Sequence, residues 1–277
     1  MAWLDVLRCP ICAASLQQKD RSVCCEKKHS FDVAREGYLH LLPSGHGRSK
    51  IDGDTLPMLQ ARRRFLSAGF YAPLADALIA ALPDSAGSKK EQVVVDVGCG
   101  EGYHIQLIQR HLQSTCCFGV DVSRDAVRLA ARHRSQPEGP RFFVSDVKQG
   151  LPINDGAVDV VVDVFAPRNP ADFARMLRPG GALLVAIPQP EHLHELRSLR
   201  ADMIGIEADK RAHVSQQLAP FFDVDGDRVW RETLALPASA AHDLLHMTPS
   251  HHHVEGGDDV GSLSVTASVR VLRFRRR

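Results

Sequence analysis

The most constraining stretch of this chain is Val93-Val94-Val95-Asp96-Val97-Gly98-Cys99-Gly100-Glu101-Gly102-Tyr103, a β-branched run that stops at an acid and three alternating glycines. Such a run predicts a strand buried on both faces, which occurs where helices cover a parallel sheet. The glycines let the backbone turn sharply beside a ligand. A helical IQLIQRHL follows at 105–112. The rhythm then repeats. Cys116–Val120 is a second apolar run, followed by a helical segment from Ser123 to His133, and Phe142–Val144, Val158–Val162 and Ala182–Ile187 are further strands. Two later strands, around Val229–Leu236 and Val265–Phe274, flank a helical AHDLLHM and complete the sheet at one edge. Strands alternating with helices imply an α/β, Rossmann-like fold with a mostly parallel seven-stranded sheet.

Upstream, Leu59, Phe65, Leu66, Tyr71, Leu74, Leu78 and Leu82 recur at helical spacing, with Gly69 and Pro73 dividing one helix from the next. Residues 45–57, rich in Gly, Pro and charge, read as a linker. The division expected is a small N-terminal module (1–42), a linker and helical segment (43–90) and an α/β domain (91–277). With 277 residues, 44% of them hydrophobic, there is apolar mass for one sizeable core plus a small appended module. The net charge of +1 announces no nucleic acid, so any RNA surface must come from local clusters of Lys and Arg. The first residues lack the pattern of a signal peptide, and no run approaches the roughly 18 apolar residues of a membrane helix, so the expected compartment is the cytoplasm.

Seven cysteines without a secretory context argue for metal binding or burial. Cys9 and Cys12 have knuckle spacing, and CCEKKH adds Cys25 and His29. Together they form a Cys3His set able to close a tetrahedral zinc site, and spacing alone leaves Cys24 as an alternative to Cys25. Four protein ligands leave no open position, so the zinc is structural. A module this small needs it to fold. Cys99, Cys116 and Cys117 lie in the core pattern and read as small buried hydrophobes.

The glycine turn departs from the dinucleotide G-x-G-x-x-G pattern and carries Asp96 two residues before its first glycine. Asp121, in FGVDVS, ends the next strand, where a carboxylate accepts from ribose hydroxyls. Asp146, in SDV, follows the third strand, within reach of an adenine amino group. LRPGGALLVAIP (177–188) is a helix end, a tight turn and a strand. Each aspartate alone reads equally well as a strand-end turn residue. The ordered set, over about residues 91–190, resembles the class I S-adenosylmethionine methyltransferases.

The intervening segments HSFDVAREGYLHLL (29–42) and DGDTLPMLQARRRFLSAGFYAPL (52–74), with FAP (165–167), IPQPEHLHEL (187–196) and LLHMTP (244–249), extend the resemblance over almost the whole chain. They look like the bacterial 23S ribosomal RNA guanine-N1 methyltransferases, one branch of which is associated with macrolide resistance. The resemblance implies methylation at N1 of a hairpin guanine, nucleotide 745 or 748 in the family. It implies zinc ligands Cys9, Cys12, Cys25 and His29, cofactor-loop contacts at Glu101 and Gly102, and cofactor-flanking positions at Tyr71 and His192, which by themselves read as an amphipathic-helix residue and a polar group at a helix N-terminus. Asp96, Gly98, Gly100, Asp121 and Asp146, read from the glycine turn and the strand ends, complete the cofactor site. A homodimer is implied by resemblance only.

Removal of the guanine N1 proton calls for a base or a polarised contact. Asp163, at the end of the fourth strand, and His192 are the candidates. Arg62, Arg63 and Arg64, with Lys27 and Lys28, are the candidate phosphate contacts, although the arginine run also reads as a solvated helix face. SHHHVEGGDD (250–259) and the Arg-rich end depart from the family pattern. Two alternatives stand: a class I enzyme acting on a small molecule, which has no need of a zinc knuckle, and a non-catalytic zinc-dependent RNA-binding protein, which has no need of intact Asp96, Asp121 and loop glycines.

Overall fold

In the computed structural model, residues 3–43, 54–83, 91–112, 115–134, 138–199, 205–207, 209–248 and 260–277 are described. The His251–His253 triplet and most of the 45–57 linker lie outside them. Near the N-terminus, β1 (Leu16–Lys19), β2 (Ser22–Cys25) and β3 (Ser30–Asp32) form a three-stranded antiparallel sheet. The chain then makes β4 (Leu39–His40), α1 (Leu56–Ser67) and α2 (Ala72–Ala81). Gly69, at φ +86°, accepts the backbone turn between the two helices, and Pro73 sits in the first turn of α2, where a missing N–H costs nothing.

The main sheet runs β5 (Gln92–Val97), β6 (Thr115–Asp121), β7 (Arg141–Val144), β8 (Val158–Val164), β9 (Leu177–Pro188), β10 (Phe222–Leu236) and β11 (Leu263–Arg276). Helices α3 (Tyr103–His111), α4 (Arg124–Arg132), α5 (Pro170–Met176), α6 (His194–Leu199), α7 (Lys210–Leu218) and α8 (Ala238–His246) connect or cover them. The spatial order is β10-β11-β9-β8-β5-β6-β7-β4, parallel except where β11 pairs with β9 and β10 pairs with β11. The seven expected strands are present, and the two-residue β4 adds an eighth, with Leu39 and His40 paired to Phe143 and Val144. Residues 177–188 form one irregular strand, where the sequence suggested a turn before a strand. Its register shifts opposite Val158–Val160, and Gly180, at φ +73°, takes the bend.

The valine run places successive side chains on opposite faces. Val94 joins a core with Phe65, Leu74, Leu78, Ile105, Val127 and Leu244, supplied by α1–α4 and α8. Val93, Val95 and Val97 join a second core with Phe173, Met176, Val214 and Leu218 from α5 and α7. This second core also contains Val6, Leu7, Leu16, Val23 and Phe31 of the zinc-bearing segment. Leu7 bridges Ile153, and the Arg8 and Asn154 N–H groups donate to the Pro152 and Val6 carbonyls at 2.9 Å. The segment is therefore a layer of the fold, not an appendage to it.

Strand order reverses at β5, with β6 on one side and β8 on the other. In open α/β sheets ligands bind outside the carboxyl ends of the strands at this switch point. The glycine turn after β5 and the Phe-Ala-Pro turn after β8 meet there.

Candidate active site and metal centre

Two short turns build the metal centre. Cys9 accepts from Ala13 N–H and donates its own N–H to Ala14, with Ala13 at φ +58°. In the second turn Lys28, at φ +66°, donates to the Cys25 carbonyl, and Cys25 N–H donates to His29. These turns bring Cys9, Cys12, Cys25 and His29 together with all ligand atoms within 4.8 Å of one another. The spacing fits zinc. With Zn–S of about 2.3 Å and Zn–N of about 2.0–2.1 Å, a tetrahedral ion requires roughly 3.7–3.8 Å between sulfurs and about 3.5 Å between sulfur and nitrogen. Cys12 and Cys25 are 3.7 Å apart, and His29 Nδ1 lies 3.5 Å from Cys9 and 3.4 Å from Cys25. Cys24 precedes Cys25 on β2, where neighbouring side chains take opposite faces. The cluster uses Cys25.

At the switch point Gly98, Gly100 and Gly102 all have positive φ (+71°, +55° and +80°). Gly98 and Cys99 N–H groups donate to the Val120 carbonyl, and Asp121 accepts from Gly100 N–H at 2.9 Å and Ser123 N–H at 2.8 Å. Asp121 thus ties the loop to the end of β6 and keeps lone pairs for a further donor. Asp96 is buried and its Oδ2 has no partner among the described residues. Burial raises its pKa well above the usual carboxylate range, and the neighbouring Asp163 and Asp121 add to the rise. Burial likewise raises Asp121 and Glu101. A cradle this acidic repels a pyrophosphate and suits a cofactor carrying sulfonium and ammonium charges. Asp146 engages both oxygens locally, accepting from Lys148 N–H and Gln149 Nε2, so an adenine contact would share an occupied carboxylate.

Beside the loop, Tyr71 is 3% exposed and its hydroxyl lies 3.4 Å from His192 Nε2. Ser268 N–H donates to His192 Nδ1 at 3.1 Å, which leaves the proton of the neutral ring on Nε2, facing Tyr71. Burial holds the imidazole down to about 4. His192 is therefore neutral at pH 7 with no free lone pair, which argues against its expected role as a base. Asp163 is fully buried at the end of β8, not open to solvent. One oxygen accepts from Ala166 N–H at 3.3 Å beside Arg168, the other has no partner among the described residues, and burial lifts the carboxyl to about 7.

The arginine run divides. The expectation that Arg62 faces RNA fails: Nη1 pairs with Asp54 at 2.5 Å, Nη2 donates to the Met247 carbonyl, and the guanidinium lies beside Gly100 among Glu101 and Asp121. Arg64 chelates Asp243 on α8 but keeps 59% of its side chain exposed. Arg63 is half-buried, and Lys27 and Lys28 are exposed. Sequence reasoning passed over Asp54, Ser268 and Phe165. The last is signalled only by its place in the Phe-Ala-Pro turn.

Residues 7–50 match the zinc-ribbon family described as RlmA, N-terminal, and residues 94–181 match the methyltransferase domain family. Over 250 residues, covering 89% of this chain and 86% of the relative, the sequence is 40% identical to the 23S rRNA (guanine(748)-N(1))-methyltransferase of Streptomyces fradiae. The chain belongs to the 23S rRNA (guanine-N1)-methyltransferase family. A Micromonospora griseorubida protein assigned guanine-N1 methylation of 23S rRNA is 38% identical over 98% of both chains. The solved structure described as "Conversion of a Disulfide Bond into a Thioacetal Group during Echinomycin Biosynthesis" covers 74% of this chain and 81% of its own, with a TM-score of 0.50 and 18% identity, and shows the shared fold. As a member of the 23S rRNA (guanine-N1)-methyltransferase family, the chain uses S-adenosylmethionine and a structural zinc. Among the described residues no helix is long and apolar enough to cross a membrane.

Proposed function

We propose that this protein transfers a methyl group from S-adenosylmethionine to N1 of a guanine in a hairpin of 23S ribosomal RNA, in the cytoplasm and as a homodimer. The observation that carries the reading is the near full-length likeness to the Streptomyces fradiae enzyme, with the zinc cluster and the acidic glycine loop both intact. The cofactor, when bound, supplies a methyl group already activated by positive sulfur. The remaining work is positioning. Asp121, Asp96 and the loop glycines hold the cofactor, and Arg62 balances the acids around Gly100. Tyr71 and His192 form a neutral wall beside the reacting centre. Of the two candidate proton acceptors Asp163 is the better one, because Oδ2 accepts no bond from any described residue and a carboxyl near pH 7 is matched to proton transfer. Arg63, Arg64, Lys27 and Lys28 serve as phosphate contacts. The proposed organisation is a zinc module (1–42), a linking helical segment (43–90) and the methyltransferase domain (91–277).

The test is transfer of radiolabelled methyl from S-adenosylmethionine to naked large-subunit ribosomal RNA, with the modified nucleotide mapped by primer extension. N1-methylguanine blocks base pairing, so a single reverse-transcription stop at a hairpin guanine is the expected result. Cofactor binding without label in RNA would overturn the reading in favour of a small-molecule acceptor.

A further inference from the structure

The turn after β8 contains a residue that the cofactor site does not require. Phe165 exposes 44% of its surface, although it is large and apolar. Its φ of +57° lies in the left-handed region, which a glycine or asparagine would occupy more easily. The surroundings over-determine this conformation. Phe165 N–H donates to the Ala186 carbonyl at 3.2 Å, Ala166 N–H donates to the buried Asp163, and Ala166 packs so closely on Gly98 that a Cβ there would overlap it. The backbone on both sides of the ring is therefore fixed, and the cofactor loop itself is one of the parts that fixes it.

The ring so held is aimed at the site. Its centroid lies 6.0 Å from the His192 imidazole at an interplanar angle of 32°. Behind His192 stands Tyr71, which meets Trp230 edge-on at 5.4 Å. His192 is neutral at working pH, and burial raises the Tyr71 phenol so that it is neutral too. An exposed ring at the carboxyl end of β8, backed by uncharged rings and adjoining the cofactor loop, suits a flat neutral heteroaromatic ring. A base that undergoes chemistry at its pairing edge must leave its helix and needs a stacking partner when it does.

We propose that Phe165 is the platform on which the target base stacks, ring against ring, with its N1 edge turned to the cofactor. This deepens the proposed function and rests on it, taking an RNA guanine as the substrate. The strained backbone is the means by which the turn presents an aromatic side chain outward that folding alone would bury.

The test uses an RNA hairpin that the wild-type enzyme methylates, and a copy with 2-aminopurine in place of the methylated guanine. With wild-type protein the aminopurine should stay quenched in the complex, because it is stacked. Phe165→Ala should bind the hairpin about tenfold more weakly, equivalent to about 1.4 kcal/mol and within the range for one base on an aromatic ring. Its residual complex should be brighter. Phe165→Trp should restore affinity, and S-adenosylhomocysteine binding should stay within twofold in both variants. Phe165→Gly separates this role from a structural one: it relieves the left-handed strain, so the melting temperature should not fall while RNA affinity does. Unchanged RNA binding by Phe165→Ala, or no restoration by a folded Phe165→Trp, overturns the platform alone. Failure of the wild type to methylate any RNA overturns the underlying function, and the platform with it.

Discussion

Replacing Gly98 with alanine tests whether the cofactor loop and the Phe-Ala-Pro turn are one rigid unit. A Cβ on Gly98 would come closer to the Ala166 Cβ than 3.0 Å, a separation that real Cβ atoms essentially never show. Carbon atoms prefer about 3.5–4.0 Å, so the turn must retreat by at least about 0.5 Å. Overpacking of this kind costs about 1–3 kcal/mol. The backbone adds a second penalty, since alanine at φ +71° costs roughly 1–2 kcal/mol. The expected loss of stability is about 2–5 kcal/mol, read as a lower urea midpoint at unchanged slope. Pairing the change with Ala166→Gly divides the two parts. The steric portion should be recovered as a coupling of about 1–3 kcal/mol, while the conformational portion persists. S-adenosylhomocysteine affinity should fall in Gly98→Ala and return in part in the double variant. A Gly98→Ala protein within about 0.5 kcal/mol of wild type, the range of an ordinary surface change, would refute the reasoning, as would zero coupling.

The remaining predictions concern the metal, the histidine and the arginines. Cys25→Ser should lose its equivalent of zinc while Cys24→Ser keeps it, measured by metal analysis after gel filtration. Removing zinc with a chelator should lower a single whole-chain urea transition, because the zinc segment shares the core with Val95 and Phe173; a separate early transition would contradict this. The depressed pKa of His192 means that the unfolded chain takes up a proton between about pH 6.5 and 4 that the folded chain refuses, so stability falls as pH drops through that window and levels below it. Relative to His192→Gln the loss should approach about 3 kcal/mol at 1.36 kcal/mol per pH unit, and parallel pH profiles would remove the buried neutral histidine from the account. Arg62→Ala should weaken S-adenosylhomocysteine binding about tenfold, whereas Arg63→Ala should leave it unchanged and lower the salt dependence of RNA binding by about one ion. Equal effects of the two on cofactor would undo the division of the run.

What was legible in the sequence was whatever is decided over a few neighbouring residues. The valine run, the glycine turn with its preceding acid and the C-x2-C knuckle each depend on local backbone geometry, and each reappears in place. Arg62, Arg63 and Arg64 were not separable, because consecutive helix residues point about 100° apart, and two of the partners that divide them, Met247 for Arg62 and Asp243 for Arg64, come from distant parts of the chain, while Asp54 lies in the linker eight residues before Arg62. The tautomer of His192 is set by the backbone of Ser268, 76 residues away, and its neutrality by burial under elements equally remote in the sequence. The choice between Cys24 and Cys25 was available in principle from strand alternation, but only once β2 is known to be a strand. A two-residue strand such as β4 carries no periodicity at all.

The pairing of β4 with β7 also sets an order of events during synthesis. His40 lies opposite Val144, 144 − 40 = 104 residues later in the chain. At about 5–20 residues per second a ribosome needs roughly 5–20 s to deliver that partner. Through this interval the N-terminal strands have emerged without the sheet face that will cover Leu16, Val23 and Phe31. Capture of zinc by the first thirty residues gives them a fixed shape while they wait, and a cell short of zinc would expose the nascent chain, more than the finished enzyme, to chaperones and proteases.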